Sequence, residues 1–423
     1  MLSTENCAVA RSARGLLEID EMPALPARAL VLLLSLAACS EEPAGRGGHV
    51  LDATPDWPVI RIDQWAGSDG QVGPTDTTSP PDSAPQPTYS FVVFGDNQFA
   101  TNSCTSGVPE RLAVPRVVLD LAPGFVLHTG DLMDHGYETG AYAKFVSCYS
   151  AMLAKHPFFP TMGNHDAGSG GIWNYKTYLE DQLQQANPKA FGSSYQGAFT
   201  LSYNDDSTSY STSFSSPSHT DVVPSGVSFK TFYAFRHQNA YFISFEQGTR
   251  WWANTPKSWV EKHLKQAHAD PTIEHIFVYL HHPLYSTTMS EQSSGECIQP
   301  VRKHYEALLR KYDATMVFSG HAHLYDRFYV PDDGSKTRQD PPPKTYPHDG
   351  KGIHYLVTGG GGGALNSCGL KQELSYDYSQ ERACVHHVTR VQVKGKQLTV
   401  SIVKVKGSST SYTKQVIDSF TVQ

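Results

Sequence analysis

From Tyr89 onward the chain repeats one pattern: a short apolar run, then a glycine or histidine with a polar group behind it. Ser90 to Phe94 ends at Gly95-Asp96, Phe125 to His128 at Gly130-Asp131, and Phe158 to Thr161 at Gly163-Asn164-His165-Asp166. Ile273 to Leu280 ends at His281-His282-Pro283, Thr315 to Phe318 at Gly320-His321-Ala322-His323, and Ile353 to Thr358 at the glycine run Gly359 to Gly363. Runs of this length bounded by turn residues predict buried strands. Ala141 to Lys155, Ser258 to His268 and Val301 to Lys311 space their apolar residues as helices do. Thr231 to Phe235 and Tyr241 to Glu246 predict a hairpin around Gln238-Asn239, with Phe199 to Tyr203 pairing nearby. Val388 to Val393 and Leu398 to Lys404 predict another, turning at Lys394-Gly395-Lys396. Tyr203 to Thr220, rich in Ser, Thr and Tyr, reads as an irregular surface excursion. Strands alternating with helices predict layered α/β packing. The polar groups past the strand ends then converge on one sheet edge. A glycine, which often precedes them, lets the chain turn sharply.

The residues before Tyr89 have a different character. Leu25 to Cys39 is an apolar run broken by Pro26 and Arg28, and its core, Ala29 to Ala38, is too short to span a bilayer. It reads as the apolar part of an export signal within a 1–39 leader, with Met22 as the expected true start. Leu36-Ala37-Ala38-Cys39 resembles the bacterial lipobox, which implies lipidation at Cys39. Ser40, rather than aspartate, then favours an outer-membrane lipoprotein facing the periplasm or the cell surface. An ordinary cleaved signal, giving a periplasmic or secreted protein, is the alternative, and a chance apolar run is the plain one. Residues 40–88 are rich in Pro, Gly, Ser and Thr and predict a disordered tether to a domain spanning 89–423. Trp57, Ile60, Ile62 and Trp65 interrupt that tether without an assignable role.

Composition narrows the function classes. The 423 residues carry a formal net charge of -7, without a basic stripe interleaved with aromatics, so no nucleic-acid partner is expected. Of seven cysteines, Cys7 lies upstream and Cys39 is the lipid candidate. Cys104, Cys148, Cys297, Cys368 and Cys384 lack the spacing of a zinc knuckle or a redox pair. Two disulfides and one free thiol are the plain expectation, and both Cys104–Cys148 and Cys368–Cys384 are open pairings.

Asp96, Gln98, Asp131, Asn164, His281, His321 and His323 offer carboxylate, amide and imidazole donors, a mixture that first-row divalent metals accept. None is a cysteine, which argues against a structural zinc knot. A carboxylate such as Asp131 is of the class that bridges two ions.

Gly95-Asp96-Asn97-Gln98, Gly130-Asp131, Gly163-Asn164-His165-Asp166, His281 and Gly320-His321-Ala322-His323 resemble, in order, the motifs of the calcineurin-like metallophosphoesterase superfamily. The resemblance runs from about Phe91 to His323. It implies a four-layer α-β-β-α sandwich and two divalent or trivalent transition-metal ions, Fe, Mn or Zn. By that resemblance Asp96, Asp131 and His323 hold the first ion, and Asp131, Asn164, His281 and His321 the second. His165 would lie beside the phosphoryl group with Asp166 orienting it, and a metal-bridging hydroxide would attack in line. Two departures stand out. Gln98 occupies a position where the family commonly has histidine, so Gln98 either ligates weakly or holds a water. Asp134 stands where the purple acid phosphatase branch has tyrosine, which argues against that branch. The glycerophosphodiesterase and cyclic nucleotide branches fit Gly130-Asp131-Leu132-Met133-Asp134 better but usually carry the missing histidine.

Other positions have plainer readings. His128, His386 and His387 are expected to pack, His282 to point away from His281, and Trp251, Trp252 and Trp259 to pack a helix. Asp134 and His135 are minor candidates for the substrate's surroundings. Asn97, with Asn164 and His165, is a candidate substrate contact. Gly359 to Gly363 either offers backbone N–H groups to a phosphate or is a turn near the cleft. The expected activity is metal-dependent hydrolysis of a small phosphorylated substrate, a monoester ahead of a nucleotide or glycerophosphodiester, by a monomer. A non-catalytic, lipid-anchored binding protein is the alternative from another class. Specificity is assigned to Phe99 to Glu110, Ala167 to Tyr195, Ser286 to Cys297 and Pro331 to Gly350, none carrying a legible motif.

Overall fold

Strands that are apolar along their whole length must be covered on both faces. Here two mixed sheets cover each other and helices cover their outer faces. The computed structural model describes residues 86–423 except 100–103, 105–106, 139, 169–170, 176–199, 203–231, 246–256, 290–297, 367–368 and 370–373. Cys39, the tether before residue 86, the Tyr203 to Thr220 excursion, Trp251, Trp252, Cys297 and Cys368 lie outside the described residues.

In the first sheet, β1 (Thr88–Phe94), β2 (Phe125–His128) and β3 (Phe158–Pro160) are parallel neighbours. β13 (His387–Lys394) pairs antiparallel with β1, followed by β14 (Gln397–Gly407), β15 (Tyr412–Val422) and the short β10 (Thr345–Tyr346). The second sheet has eight strands. At its centre β11 (Gly352–Thr358), β8 (Met316–Ser319), β7 (His275–Tyr279) and β6 (Ala240–Ser244) are parallel. β9 (Tyr325–Pro331) and β12 (Ser379–Ala383) flank one side, and β5 (Tyr233–His237) and β4 (Thr200–Ser202) the other, all antiparallel. The hairpin turns at Gln238-Asn239 with β4 beside it, as the sequence pattern predicts.

An aromatic core joins the sheets. Phe91 of β1 meets Phe242 edge-on at 5.4 Å and Phe277 at 5.1 Å, and Phe125 of β2 meets Phe242 at 5.3 Å. Such edge-to-face contacts suit the quadrupoles of the rings. α1 (Glu110–Leu121) and α2 (Ala141–Leu153) pack on each other, and α1 packs on β13 and β14. α4 (Lys257–Ala269) and α5 (Ile298–Lys311) cover the second sheet, where Trp259, Leu264 and Leu309 join Ile243, Val278 and Val317 in one cluster. The layers are helix, sheet, sheet, helix, the expected four. Trp259 is buried against Phe232, so it packs. Cys104 is disulfide-bonded to Cys148 of α2, and Cys384 is disulfide-bonded as well.

Several elements are absent from the sequence pattern, α1, β15 and β9 among them. α1 contains Pro115 and several valines, all poor helix formers. Burial of Ala113, Val114, Val117 and Val118 selects the helix there. β15 is exposed over most of its first half, so it lacks the alternation that marks a strand. β9 places Asp326 and Arg327, both fully buried, in a mostly buried strand. They are tolerated because the fold supplies partners: Arg327 Nε donates to Asp418 Oδ2 of β15 at 2.9 Å, and Asp326 accepts from Thr287 N at 2.8 Å.

Candidate metal centre

The polar groups past β1, β2, β3, β7 and β8 meet at one edge of the two sheets. Backbone pairing zips two of these loops together: Asp96 N donates to Gly130 O at 2.9 Å and Gln98 N to Asp131 O at 3.0 Å. Asp96, Gln98, Asp131 and His321 take positive φ angles of 62°, 47°, 55° and 65°. Left-handed backbone at residues other than glycine costs about 1–3 kcal/mol each and gathers at functional sites. The sequence pattern assigned the sharp turns to the preceding glycines, but the candidate ligands carry most of them. The glycines mainly provide space. A Cβ on Gly320 would lie 2.2 Å from Asp96 Oδ2, and one on Gly163 would lie 2.1 Å from Asp131 Oδ1.

Two groups of donors result. Asp96, Asp131 and His323 have polar atoms within 4.8 Å of one another, and so do Asp131, His281 and His321. Asp131 belongs to both. Asn164 Oδ1 joins the second group, 2.9 Å from His281 Nε2 and 2.8 Å from His321 Nδ1. Gln98 lies beside Asp131, its Nε2 3.5 Å from Oδ2. A half-turn of that amide presents Oε1 instead, the atom a metal ligand would use. All seven candidate ligands from the sequence therefore come together.

The imidazoles are held from behind. His281 Nδ1 donates to Thr129 O at 2.8 Å, leaving Nε2 to face Asp131 Oδ2 at 3.3 Å. His323 Nδ1 donates to Ala364 O at 2.6 Å, leaving Nε2 3.5 Å from Asp96 Oδ1. Such bonds set the tautomer and ring direction that a metal ligand needs. Burial pushes the Asp96 carboxyl up, with the like charge of Asp131 adding to it. Burial would raise Asp131 too, but His281, His165 and His321 outweigh it and hold it well below the usual carboxylate range. Burial works against the His281 imidazolium, yet Asp131 holds it at about 9. Burial also drives His321 down, with His282 and His281 adding to the effect.

The residues fit two cations. Asp96 is fully buried, and its Oδ2 has no hydrogen-bond partner. A carboxylate oxygen so placed calls for a positive charge. Carboxylate, amide oxygen and imidazole are also the donors that first-row metals take.

His165 lies at the lip, 35% exposed, with Nε2 4.0 Å from Asp131 Oδ2. Two sequence readings are corrected here. The carboxylate of Asp166 does not orient the His165 ring; it accepts from Leu132 N, Met133 N, Gly163 N and Tyr142 Oη. It braces the loops after β2 and β3 against each other, and burial, with the charge of Asp131, pushes it up to about 7. Asp134 orients His165 instead: its carbonyl accepts from Nδ1 at 2.8 Å, and its Oδ1 is 3.4 Å away. Burial lowers His165, but Asp134 and Asp131 prevail and raise it to about 10. The only cue to Asp134 in the sequence is its place three residues after Asp131.

Asn97 is the second correction. It is fully buried, with Oδ1 on His128 Nε2 and Nδ2 on Tyr149 Oη and Gly361 O. Its amide is spent in the interior and is not available to a phosphate oxygen. His128 receives Gly130 N on Nδ1 and so carries its proton toward Asn97. The glycine run is also committed, since Gly361 N donates to Gly95 O and Gly363 N to Asp96 O. A Cβ on Gly361 would lie 2.2 Å from Gly95 O, so the run is a close-packed floor under the Asp96 loop. His386 and His387 lie against Gly360. His282 is buried with its ring 4.3 Å from that of His321.

A family model described as calcineurin-like phosphoesterase matches residues 89–325, over half of the chain. The chain belongs to the calcineurin-like phosphoesterases. Among curated relatives, Fe(3+)-Zn(2+) purple acid phosphatase 12 of Arabidopsis thaliana is 31% identical over 110 residues, 26% of this chain and 23% of that protein. Phosphoenolpyruvate phosphatase of Allium cepa is 23% identical over 338 residues, 75% of this chain and 58% of that protein. The chain thus spans less than two thirds of either relative. Among solved structures, purple acid phosphatase PPD1 from yellow lupin (Lupinus luteus) seeds superposes with a TM-score of 0.55 at 19% identity, covering 80% of this chain and 54% of that one. The likeness therefore includes the purple acid phosphatases, the branch that Asp134 argued against. Position 134 remains an aspartate, and its side chain faces His165 rather than the Asp96–Asp131–His323 group.

Proposed function

We propose that this calcineurin-like phosphoesterase hydrolyses phosphate monoesters at a dinuclear centre of Fe, Mn or Zn. The observation that carries the reading is the pair of donor groups sharing Asp131, with the buried, partnerless Oδ2 of Asp96 in one of them. Metal ions bound there would lower the pKa of water and draw charge from the phosphoryl oxygens. The chain's own part is to hold the ligand rings, exclude water and place one acid. His165, held through Nδ1 by Asp134, turns Nε2 toward the centre and is placed to give a proton to the leaving oxygen. Asp166 keeps the loop carrying Asn164 and His165 in register with the Asp131 loop. A monoester is favoured over a diester because the curated relatives, an acid phosphatase and a phosphoenolpyruvate phosphatase, are both named as phosphatases.

The test uses the mature chain stripped of metal and then loaded with Fe, Mn or Zn. Hydrolysis of a generic monoester is expected, faster than that of a generic diester. No turnover with any metal sinks the enzyme reading and leaves the binding-protein alternative; a faster diester moves the activity to the phosphodiesterase class.

The export reading belongs to the same proposal. The lipobox-like Leu36-Ala37-Ala38-Cys39 supports an acylated Cys39 that tethers a monomer to the outer membrane. The intact mass of the mature protein is expected to match a chain beginning at diacyl- or triacyl-Cys39. An unmodified mature N-terminus elsewhere refutes the anchor.

A further inference from the structure

Among the described residues two large apolar side chains are exposed, Tyr137 and Val416. Isolated exposed aromatics are ordinary on protein surfaces. Tyr137 differs in its position and in how firmly its backbone is held. Its ring lies 5.5 Å from the imidazole of His135, with 31° between the planes. His135 shares a group with Asp134 and His165 whose polar atoms lie within 4.8 Å of one another. His165 in turn places Nε2 4.0 Å from Asp131 Oδ2. Two side chains thus connect the metal centre to Tyr137.

The backbone between the two rings is fixed to the segment that carries Asn164 and His165. Gly136 N donates to His165 O at 2.9 Å, and Asn174 Nδ2 donates to Gly136 O at 3.0 Å. Glu138 N donates to His135 O at 3.1 Å, closing a turn around Gly136 and Tyr137. A Cβ on Gly136 would lie 2.2 Å from Asp166 O, so the loop is pressed against the helical turn α3 (Asn164–Ala167). An exposed ring on a braced backbone loses little freedom when a partner stacks on it.

We propose that His135 and Tyr137 form a stacking platform at the rim of the metal centre that receives a flat, uncharged ring in the alcohol part of the phosphate ester. The substrate class is then a monoester whose leaving group bears an aromatic or heteroaromatic ring. This rests on the phosphoesterase reading and names the substrate class of the same site. The charge at the rim agrees with it. Asp134 Oδ2 lies 3.9 Å from His135 Nε2 and adds negative charge on this side, which accommodates a neutral ring and repels a second phosphate.

The test measures binding, so it does not depend on turnover. Benzylphosphonate, cyclohexylmethylphosphonate and methylphosphonate, whose C–P bonds are not cleaved as esters, are titrated calorimetrically into the metal-loaded protein. Wild type is expected to bind benzylphosphonate about ten-fold more tightly than methylphosphonate, with the saturated ring nearer to methyl. Tyr137→Ala is expected to collapse the benzyl-to-methyl ratio, Tyr137→Phe to keep it, and His135→Ala to reduce it. A wild-type ratio near one, a ratio unchanged in Tyr137→Ala, or equal affinity for the benzyl and cyclohexylmethyl groups overturns the platform while leaving the phosphoesterase reading intact. Failure of all three phosphonates to bind overturns both.

Discussion

Asp131→Asn is expected to lower kcat/KM on a phosphate monoester by about a thousand-fold or more without unfolding the protein. Asp131 is the one residue common to both donor groups. Its Oδ2 faces His281 Nε2 at 3.3 Å, and its Oδ1 accepts from His165 N at 2.8 Å. Asparagine keeps the shape but removes the negative charge that two cations would share, and it turns one acceptor oxygen into a donor. Metal-based charge stabilisation is worth several kcal/mol in the transition state, and each 1.36 kcal/mol is a factor of ten in rate. The fold should survive, because Asp131 is a site residue with a left-handed backbone and not an apolar part of the core. Steady-state kinetics, metal content by mass spectrometry and thermal unfolding together decide the matter. A purified Asp131→Asn protein that holds two ions and turns over at the wild-type rate would refute the bridging role.

Asp418→Ala is expected to destabilise the protein by about 3–5 kcal/mol, the range found when one partner of a buried ion pair is removed. Asp418 of β15 receives Arg327 Nε of β9 at 2.9 Å, Tyr325 Oη at 2.8 Å and Lys344 Nζ at 2.7 Å. The side chains of Arg327 and Asp418 are both fully buried, so alanine would strand the guanidinium inside the protein. The interaction ties the first sheet to the second. Lys344 is 55% exposed, and Lys344→Ala is expected to cost under about 1 kcal/mol, as exposed pairs do. Urea unfolding of the two variants measures the contrast. Equal, small losses in both would mean that the buried pair contributes nothing beyond a surface contact.

Asp131 and Asp418 also mark what a linear reading reaches. Asp131 is legible because it ends a buried strand and sits in an ordered series of glycine-flanked polar groups. The same holds for Asp96, Asn164, His281, His321 and His323, whose strands read as apolar runs because both of their faces are covered. Asp418 and Arg327 are illegible, since charged residues in a strand argue against burial until a partner from a distant strand is known. The roles of Asp166 and Asn97 are misread from the sequence for a related cause. Each is close in sequence to a ligand, but hydrogen bonds across loops decide where its side chain points. The carboxylate of Asp166 is taken by Leu132 and Met133 N–H groups, and Asn97 by His128 and Tyr149.

The sequence by itself determined the layered α/β class, the order of the central strands' polar ends and the set of seven candidate ligands, because strand burial and strand-end turns are local patterns. Only the tertiary structure decided that Asp131 is shared between two groups, that Gln98 lies beside them, that Asp134 rather than Asp166 holds His165, and that the glycine run is a packed floor. These depend on side chains meeting across two sheets, and distances of a few ångströms between residues far apart in the chain are set by packing, which the spacing of residues along the chain does not encode.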